Sequence, residues 1–169
     1  MTDIKYNDTE YLVDKFLDDI IRLSLVYVKN MEDAQDIAQQ VFVIYLQKKP
    51  EFESIEHAKN WLFKVAVNTS RNHRRTQRQT VDFDSLENVL STEDVHEMTE
   101  AEEAVFKAVM SLRENYREII HMYYYLGYST DEISEITGLS TSAVRTKLHR
   151  ARAALEKTLK GGGLDVGKL

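Results

Sequence analysis

The chain has 169 residues, 43% hydrophobic and 30% charged, with a formal net charge of -6 and a pI near 5.4. That balance fits a soluble globular protein of one ordinary domain or two small ones, and it argues against a protein that coats nucleic acid through bulk charge. Cysteine is absent, which excludes disulfides, thiol chemistry and cysteine-zinc sites and is compatible with a reducing compartment.

The start, "MTDIKYNDTEYLVDKF", has acids where a secretion signal needs a basic segment, and no apolar run reaches the ~18 to 20 residues that span a bilayer. The expected location is the cytoplasm, without membrane insertion. One proline and six glycines leave long stretches of helical spacing with little hairpin punctuation, so the expected fold class is all-α. The charge pattern divides the chain into two small helical domains joined by a flexible acidic linker.

The first domain, residues 1–79, reads as three or so helices: "TEYLVDKFLDDIIRLSLVYVK", "MEDAQDIAQQVFVIYLQKK" and "IEHAKNWLFKVAVNTSRNHRRTQR". In the first, Leu12, Phe16, Ile20, Leu23 and Tyr27 recur at threes and fours, the stripe of a helix packed on a bundle. Pro50 closes the second by removing a donor and restricting the residue before it. Around the third, Leu62, Phe63, Ala66 and Val67 occupy one face and Trp61, Lys64, Asn68, Arg71, Asn72 and Arg75 the other. An aromatic, amides and cations in a row suit a displaced single strand, whose bases offer ring faces and whose backbone offers charge. A helix with a buried Trp and solvated charges is the simpler alternative.

Residues 80–103 read as the acidic linker, overlapping a stretch, 81–106, that has no Lys or Arg. Such a segment has little apolar surface to offset its ordering entropy. About twenty residues of it reach ~65 Å when extended, so the flanking domains can occupy separate sites. A second reading makes it a decoy that repels nucleic acid or rests on a basic surface.

The second domain, residues 104–160, begins with "AEEAVFKAVMSLRENYREIIHMYYYLG", read as helical from 101 onward. Ser129 and Glu132 then fit a capping box, Ile133 and Ile136 give a short helix an apolar edge, Gly138 suits its left-handed end, and Ser140 can cap the next helix. Helix, tight Gly turn, helix is the helix-turn-helix arrangement. Residues set about 100° apart put Val144, Leu148, Ala151 and Leu155 on one edge of the last helix. Ser142, Thr146, His149 and Arg150 lie opposite, with Arg145 and Lys147 at the margins. Hydroxyls, an imidazole and an arginine can read a major groove while marginal cations find phosphates. Residues 161–169, Gly-rich with little to bury, are expected to be disordered.

The order "DAQDIAQQVF", "PEF", "NWLFKVAVNTSRNHRR", an acidic join, "LRENYREIIHMYYYLGYSTDEISEITG" and "STSAVRTKLHRARAAL" resembles the successive blocks of the extracytoplasmic-function (ECF) group of bacterial sigma-70 factors. The resemblance covers nearly all of residues 5–158. It implies a region 2 domain that binds core polymerase and the minus-ten element, and a region 4 helix-turn-helix domain that reads the minus-thirty-five element. The implied partners are core RNA polymerase, through the clamp helices of its largest subunit and its flap region, promoter DNA, and an anti-sigma factor as regulator. "DAQDIAQQVF" is similar to the helix that docks on the clamp, which implies Asp36, Ile37, Gln39 and Gln40 as core-binding residues. Gln40 stands where the family usually has Glu, one charge fewer. "PEF" and the loop after it resemble the element that receives a flipped base, with Phe52 and Asn68 in the matching positions. "STSAVRTKLHRARAAL" is similar to the helix that reads the upstream element, which implies Arg145, Thr146, His149 and Arg150 as DNA contacts and Arg152 as a contact to phosphate or to another helix. Two further departures are Arg113 for a usual proline, which would let that helix begin earlier, and Ser134 for a usual alanine, expected to matter little.

The function expected is transcription initiation without catalysis. A dimeric helix-turn-helix regulator that binds a palindrome without polymerase is the rival from another class. A helical enzyme finds little support: His57, His73, His96, His121 and His149 lack ligand spacing, and there is no Gly-rich phosphate loop or nucleophile beside a base. No cofactor and no metal are expected.

Overall fold

In the computed structural model, residues 5–77 and 99–161 are described. Most of the stretch read as a linker, and the tail after Gly161, lie outside them. The described residues contain seven α-helices and no strand, and the chain divides into two compact units.

The first unit is a three-helix bundle preceded by a 3-10 turn at Lys5–Asn7. Helices α1 (Thr9–Val28), α2 (Met31–Lys48) and α3 (Ile55–Gln77) each pack on the other two. Helix α1 begins where the Asp8 carboxylate accepts the Tyr11 N–H, and α2 where Asn30 accepts the Asp33 N–H. All five residues of the α1 stripe, Leu12, Phe16, Ile20, Leu23 and Tyr27, are buried, and Phe16 meets Phe63 of α3 edge to face at 6.0 Å. Each such side chain contributes ~1.5 to 3 kcal/mol relative to exposure. Lys49 ends α2 in the left-handed region at φ 47, its N–H bonded to the Tyr45 carbonyl, and Pro50 turns the chain away.

The second unit contains α4 (Glu100–Ser111), α5 (Glu114–Ile120), α6 (Thr130–Thr137) and α7 (Thr141–Gly161). Helix α5 continues into a π turn at His121–Tyr125, closed by Gly127 at φ 70 and a Tyr128 N–H to Met122 carbonyl bond of 3.0 Å. Helix α7 is the hub, packing against α4, α5 and α6. Its predicted edge, Val144, Leu148, Ala151 and Leu155, is buried, and Leu159 extends it by another turn.

Two boundaries differ from the expectation. Helix α4 starts at Glu100, inside the stretch assigned to the linker, because Thr99 and Glu102 form a capping box and Glu100, Glu102 and Glu103 meet the positive end of the helix. The acids that resemble a solvated connector are also what a helix N-terminus favours. The segment read as one long helix breaks at Leu112 and Arg113, both extended at ψ 157 and 145. Arg113 stands at the N-cap of the helix that starts at Glu114, so in place of the proline it does not make that helix begin earlier. The break is held by Arg117, only 2% exposed, whose Nη1 donates to the Leu112 carbonyl at 2.6 Å and the Met110 carbonyl at 3.4 Å.

Candidate nucleic-acid and polymerase interfaces

On α2 the inward positions Ala34, Ile37, Ala38, Val41, Phe42 and Tyr45 leave Asp36, Gln39 and Gln40 outward and exposed. Ile37 does not belong with them. It is 1% exposed and packs in the bundle, so it lies behind the exposed face of α2. The face continues instead through Val43 and Leu46, 49% and 51% exposed, which the sequence reading missed. Val43 is four residues on from Gln39 and three from Gln40, Leu46 three on from Val43, and an apolar pair left outside a bundle rimmed by amides is the signal that finds them. Asp33, one turn before Asp36 and Ile37, is turned to α3: its carboxylate accepts from Gln77 Nε2 at 3.1 Å and lies 3.5 Å from His73 Nε2.

The loop from Pro50 to Ser54 delivers Phe52 inward as well. At 4% exposure its ring is stacked 5.9 Å from Tyr45, tilted 5.8 Å from Trp61 and edge-on to His57 at 5.4 Å. It is a wall of this loop and not an open stacking surface. Three aromatic neighbours, from α2 and α3, bury it, and no local pattern announces them. Along α3, Lys64, Asn68, Asn72 and Arg75 are exposed while Trp61 and Arg71 are half-buried. The basic run is itself divided, since Arg74 points back and donates to the Tyr27 carbonyl at 3.1 Å, at the end of α1.

In the second unit Ser129 and Glu132 form the capping box, Gly138 ends α6 at φ 77, and Ser140 accepts the Ala143 N–H at the start of α7. The turn carries more bonds than expected of it. Ser134 Oγ donates to the Leu139 carbonyl at 2.5 Å, and Thr141 Oγ1 donates to Asp131 at 3.1 Å. The serine in place of alanine thus ties α6 to the turn by a bond that alanine could not make. Opposite the buried edge of α7, Ser142, Arg145, Thr146, His149 and Arg150 are exposed and Lys147 is half-buried. Arg152 is held by another helical segment: its Nε donates to Tyr124 Oη at 2.6 Å.

Two faces of distinct chemistry therefore sit on separate compact units. One offers amides, cations and a half-exposed Trp on α3, beside an amide-rimmed apolar strip on α2. The other offers hydroxyls, an imidazole and guanidinium groups on α7. Among the described residues no group of His, Asp and Glu is placed to hold a metal ion, and no helix is long and apolar enough to cross a membrane.

Residues 12–80 match the family Sigma-70 region 2, and residues 102–155 match Sigma-70, region 4. The chain is 32% identical over 136 residues to RNA polymerase sigma factor SigV of Bacillus subtilis, covering 79% of this chain and 80% of that one. It is 28% identical over 142 residues to the ECF RNA polymerase sigma-E factor of Escherichia coli K12, covering 76% and 74%. Among solved structures it is similar to the sigma factor RpoE of Bartonella quintana in complex with the anti-sigma factor NepR, with a TM-score of 0.73 at 20% identity over 90% of this chain and 97% of that one. It is also similar to CnrH in complex with the cytosolic domain of CnrY, with a TM-score of 0.64 at 23% identity over 90% and 88%. At those identities the structural likeness speaks for the fold.

Proposed function

The chain belongs to the sigma-70 family of RNA polymerase sigma factors, in its ECF group, and from that membership we propose how its surfaces divide the work of transcription initiation. Its partners are core RNA polymerase and promoter DNA. Asp36, Gln39, Gln40, Val43 and Leu46 dock on the clamp helices of the largest subunit. Trp61, Lys64, Asn68, Arg71 and Arg75, with the Pro50–Ser54 loop shaped by Phe52, hold the melted minus-ten strand. Ser142, Arg145, Thr146, Lys147, His149 and Arg150 read the minus-thirty-five duplex, and the flap region of polymerase receives the second unit. No chemical step is assigned to the chain, and its location is the cytoplasm.

The observation that carries this reading is the sorting of α7, with Val144, Leu148, Ala151 and Leu155 buried and the hydroxyl, imidazole and guanidinium groups opposite them in solvent. A net charge of -6 accords with delivery to DNA by a partner, since the basic faces are local. A dimeric regulator acting alone is not supported, because the relatives matched across both blocks are sigma factors. Two of the similar structures are complexes with an anti-sigma factor or the cytosolic domain of another protein, and we extend to this chain a regulator that covers the polymerase and DNA faces. Transcription reconstituted from core polymerase and this chain tests the reading. Initiation is expected at a two-element promoter only when both proteins are present, and its failure with folded proteins removes the assignment.

A further inference from the structure

The 3-10 turn at the start of the first unit is joined to the loop after α2 by one side chain. Asn7 Nδ2 donates to the Phe52 carbonyl at 3.1 Å, and Asn7 Oδ1 accepts the Phe52 N–H at 2.9 Å. A donor and an acceptor on the same residue fix which end of the amide is oxygen. The Asn7 carbonyl in turn accepts from Tyr45 Oη at 3.1 Å, and the Tyr45 ring is the one stacked on Phe52. Two residues 45 positions apart are thereby paired through both backbone groups of Phe52, as a strand neighbour would pair them. Tyr6, Asn7 and Tyr45 also line, with Lys49 and Phe52, an open cleft of about 630 Å³ beside the loop.

A connecting loop has no ladder of its own to keep its shape. If it is free to relax, it accommodates a wrong base nearly as well as a right one, so discrimination requires that its backbone groups be held. Asn7 supplies that hold from outside the loop. We infer that Asn7 is a positioning residue for minus-ten recognition, fixing the Pro50–Ser54 loop so that base preference at the flipped position is sharp. The inference rests on the assignment of this loop and Asn68 to the minus-ten strand.

The test uses holoenzyme reconstituted from core polymerase and the full chain. Binding is measured on templates with a pre-melted minus-ten strand bearing each of the four bases at each position. Asn68→Ala identifies the position whose preference depends on this site. At that same position Asn7→Ala is expected to reduce base preference about threefold to tenfold, the worth of one or two part-buried hydrogen bonds. Affinity for core polymerase and preference in the upstream duplex stay as in the unsubstituted chain. Asn7→Asp keeps an acceptor for the Phe52 N–H but sets a carboxylate oxygen against the Phe52 carbonyl, so it does no better than alanine. Asn7 is exposed, so both variants are expected to fold. An Asn7→Ala holoenzyme that binds all templates equally less well, with base preference unchanged, overturns the inference. So does unaltered preference at the position that Asn68→Ala identifies, which leaves the minus-ten assignment standing. If no position responds to Asn68→Ala, the assignment falls and the inference falls with it.

Discussion

Arg152 donates from Nε to the Tyr124 hydroxyl at 2.6 Å, and its guanidinium lies 5.2 Å from the centre of the Tyr123 ring and 5.5 Å from that of Tyr124. One cation of α7 is thereby committed to the π turn after α5, although by sequence it is as basic as its neighbours. Removing it acts on stability more than on DNA. Arg152→Ala is expected to cost about 1 kcal/mol in the second unit, seen as faster amide exchange over α5 and α7. The salt dependence of promoter binding by holoenzyme keeps its slope. Arg152→Lys recovers little, since a compact ammonium does not make the bond to Tyr124 Oη and both ring contacts at once.

The apolar pair on α2 gives a prediction of the opposite kind. Val43 and Leu46 are half exposed, so they contribute little to the bundle, and Val43→Glu or Leu46→Glu is expected to shift stability by no more than about 0.5 kcal/mol. Affinity for core polymerase, measured by competition against another sigma factor, should fall at least about tenfold for each, the scale of a buried interface residue lost. Ile37→Ala differs from both: it leaves a cavity in the core and costs ~2 to 4 kcal/mol before any partner is present.

Acid sensitivity is expected at the start of α4. The Glu102 carboxyl titrates below its ordinary 4.5 because the Thr99 backbone N–H and then the Thr99 hydroxyl donate to it. A folded-state value lower than the unfolded one gives stability that is present above about pH 4.5 and is lost as pH falls through the folded value. Amide exchange of residues 100–104 should therefore accelerate across that window. Glu102→Gln, which can still accept the bond but does not titrate, should flatten the profile. An unchanged profile in that variant would assign the acid response elsewhere.

Much of the fold is legible in sequence where periodicity and caps are local. The stripe from Leu12 to Tyr27, the Ser129 and Glu132 box, and Gly138 all carry their geometry within a few residues. What escapes is set by distant partners. The break at Leu112 needs no glycine or proline because the buried Arg117 side chain takes its carbonyl. The acids at 100–103 have the composition of a linker, yet Thr99 makes them a helix start. For the candidate site, helical phase places the exposed residues of α3 and α7 correctly, while it cannot say that Phe52 faces Tyr45 and Trp61. The Asn7 bond to Phe52 has no local signature at all.

The turn between α6 and α7 sets where the exposed face of α7 points, and two residues control it by different means. Gly138 sits at φ 77 with open space where a Cβ would stand, so Gly138→Ala suffers only the backbone penalty of ~1 to 2 kcal/mol. Gly138→Asn should cost less, as asparagine tolerates that region better. Ser134→Ala removes the hydroxyl bond to the Leu139 carbonyl and should cost about 1 kcal/mol. Comparing melting temperature with upstream-element affinity separates anchoring of the turn from a direct role in contact with DNA.

Arg150 and Lys147 allow the proposed base reading on α7 to be tested apart from the proposed phosphate contact. Arg150 is exposed on the arc opposite Val144 and Leu148, whereas Lys147 is half-buried at the margin. A guanidinium that reads a base edge loses ~1 to 3 kcal/mol on truncation, and the loss concentrates at one base pair. Arg150→Ala should therefore relax preference at a single upstream position in holoenzyme binding while affinity for core polymerase is unchanged. Lys147→Ala should weaken all upstream sequences alike and lower the salt slope by about one ion. If the two variants exchange these signatures, the assignment of the reading arc is rotated by one flank and Lys147 becomes the base contact. If neither variant changes upstream binding, the proposed role of α7 is wrong.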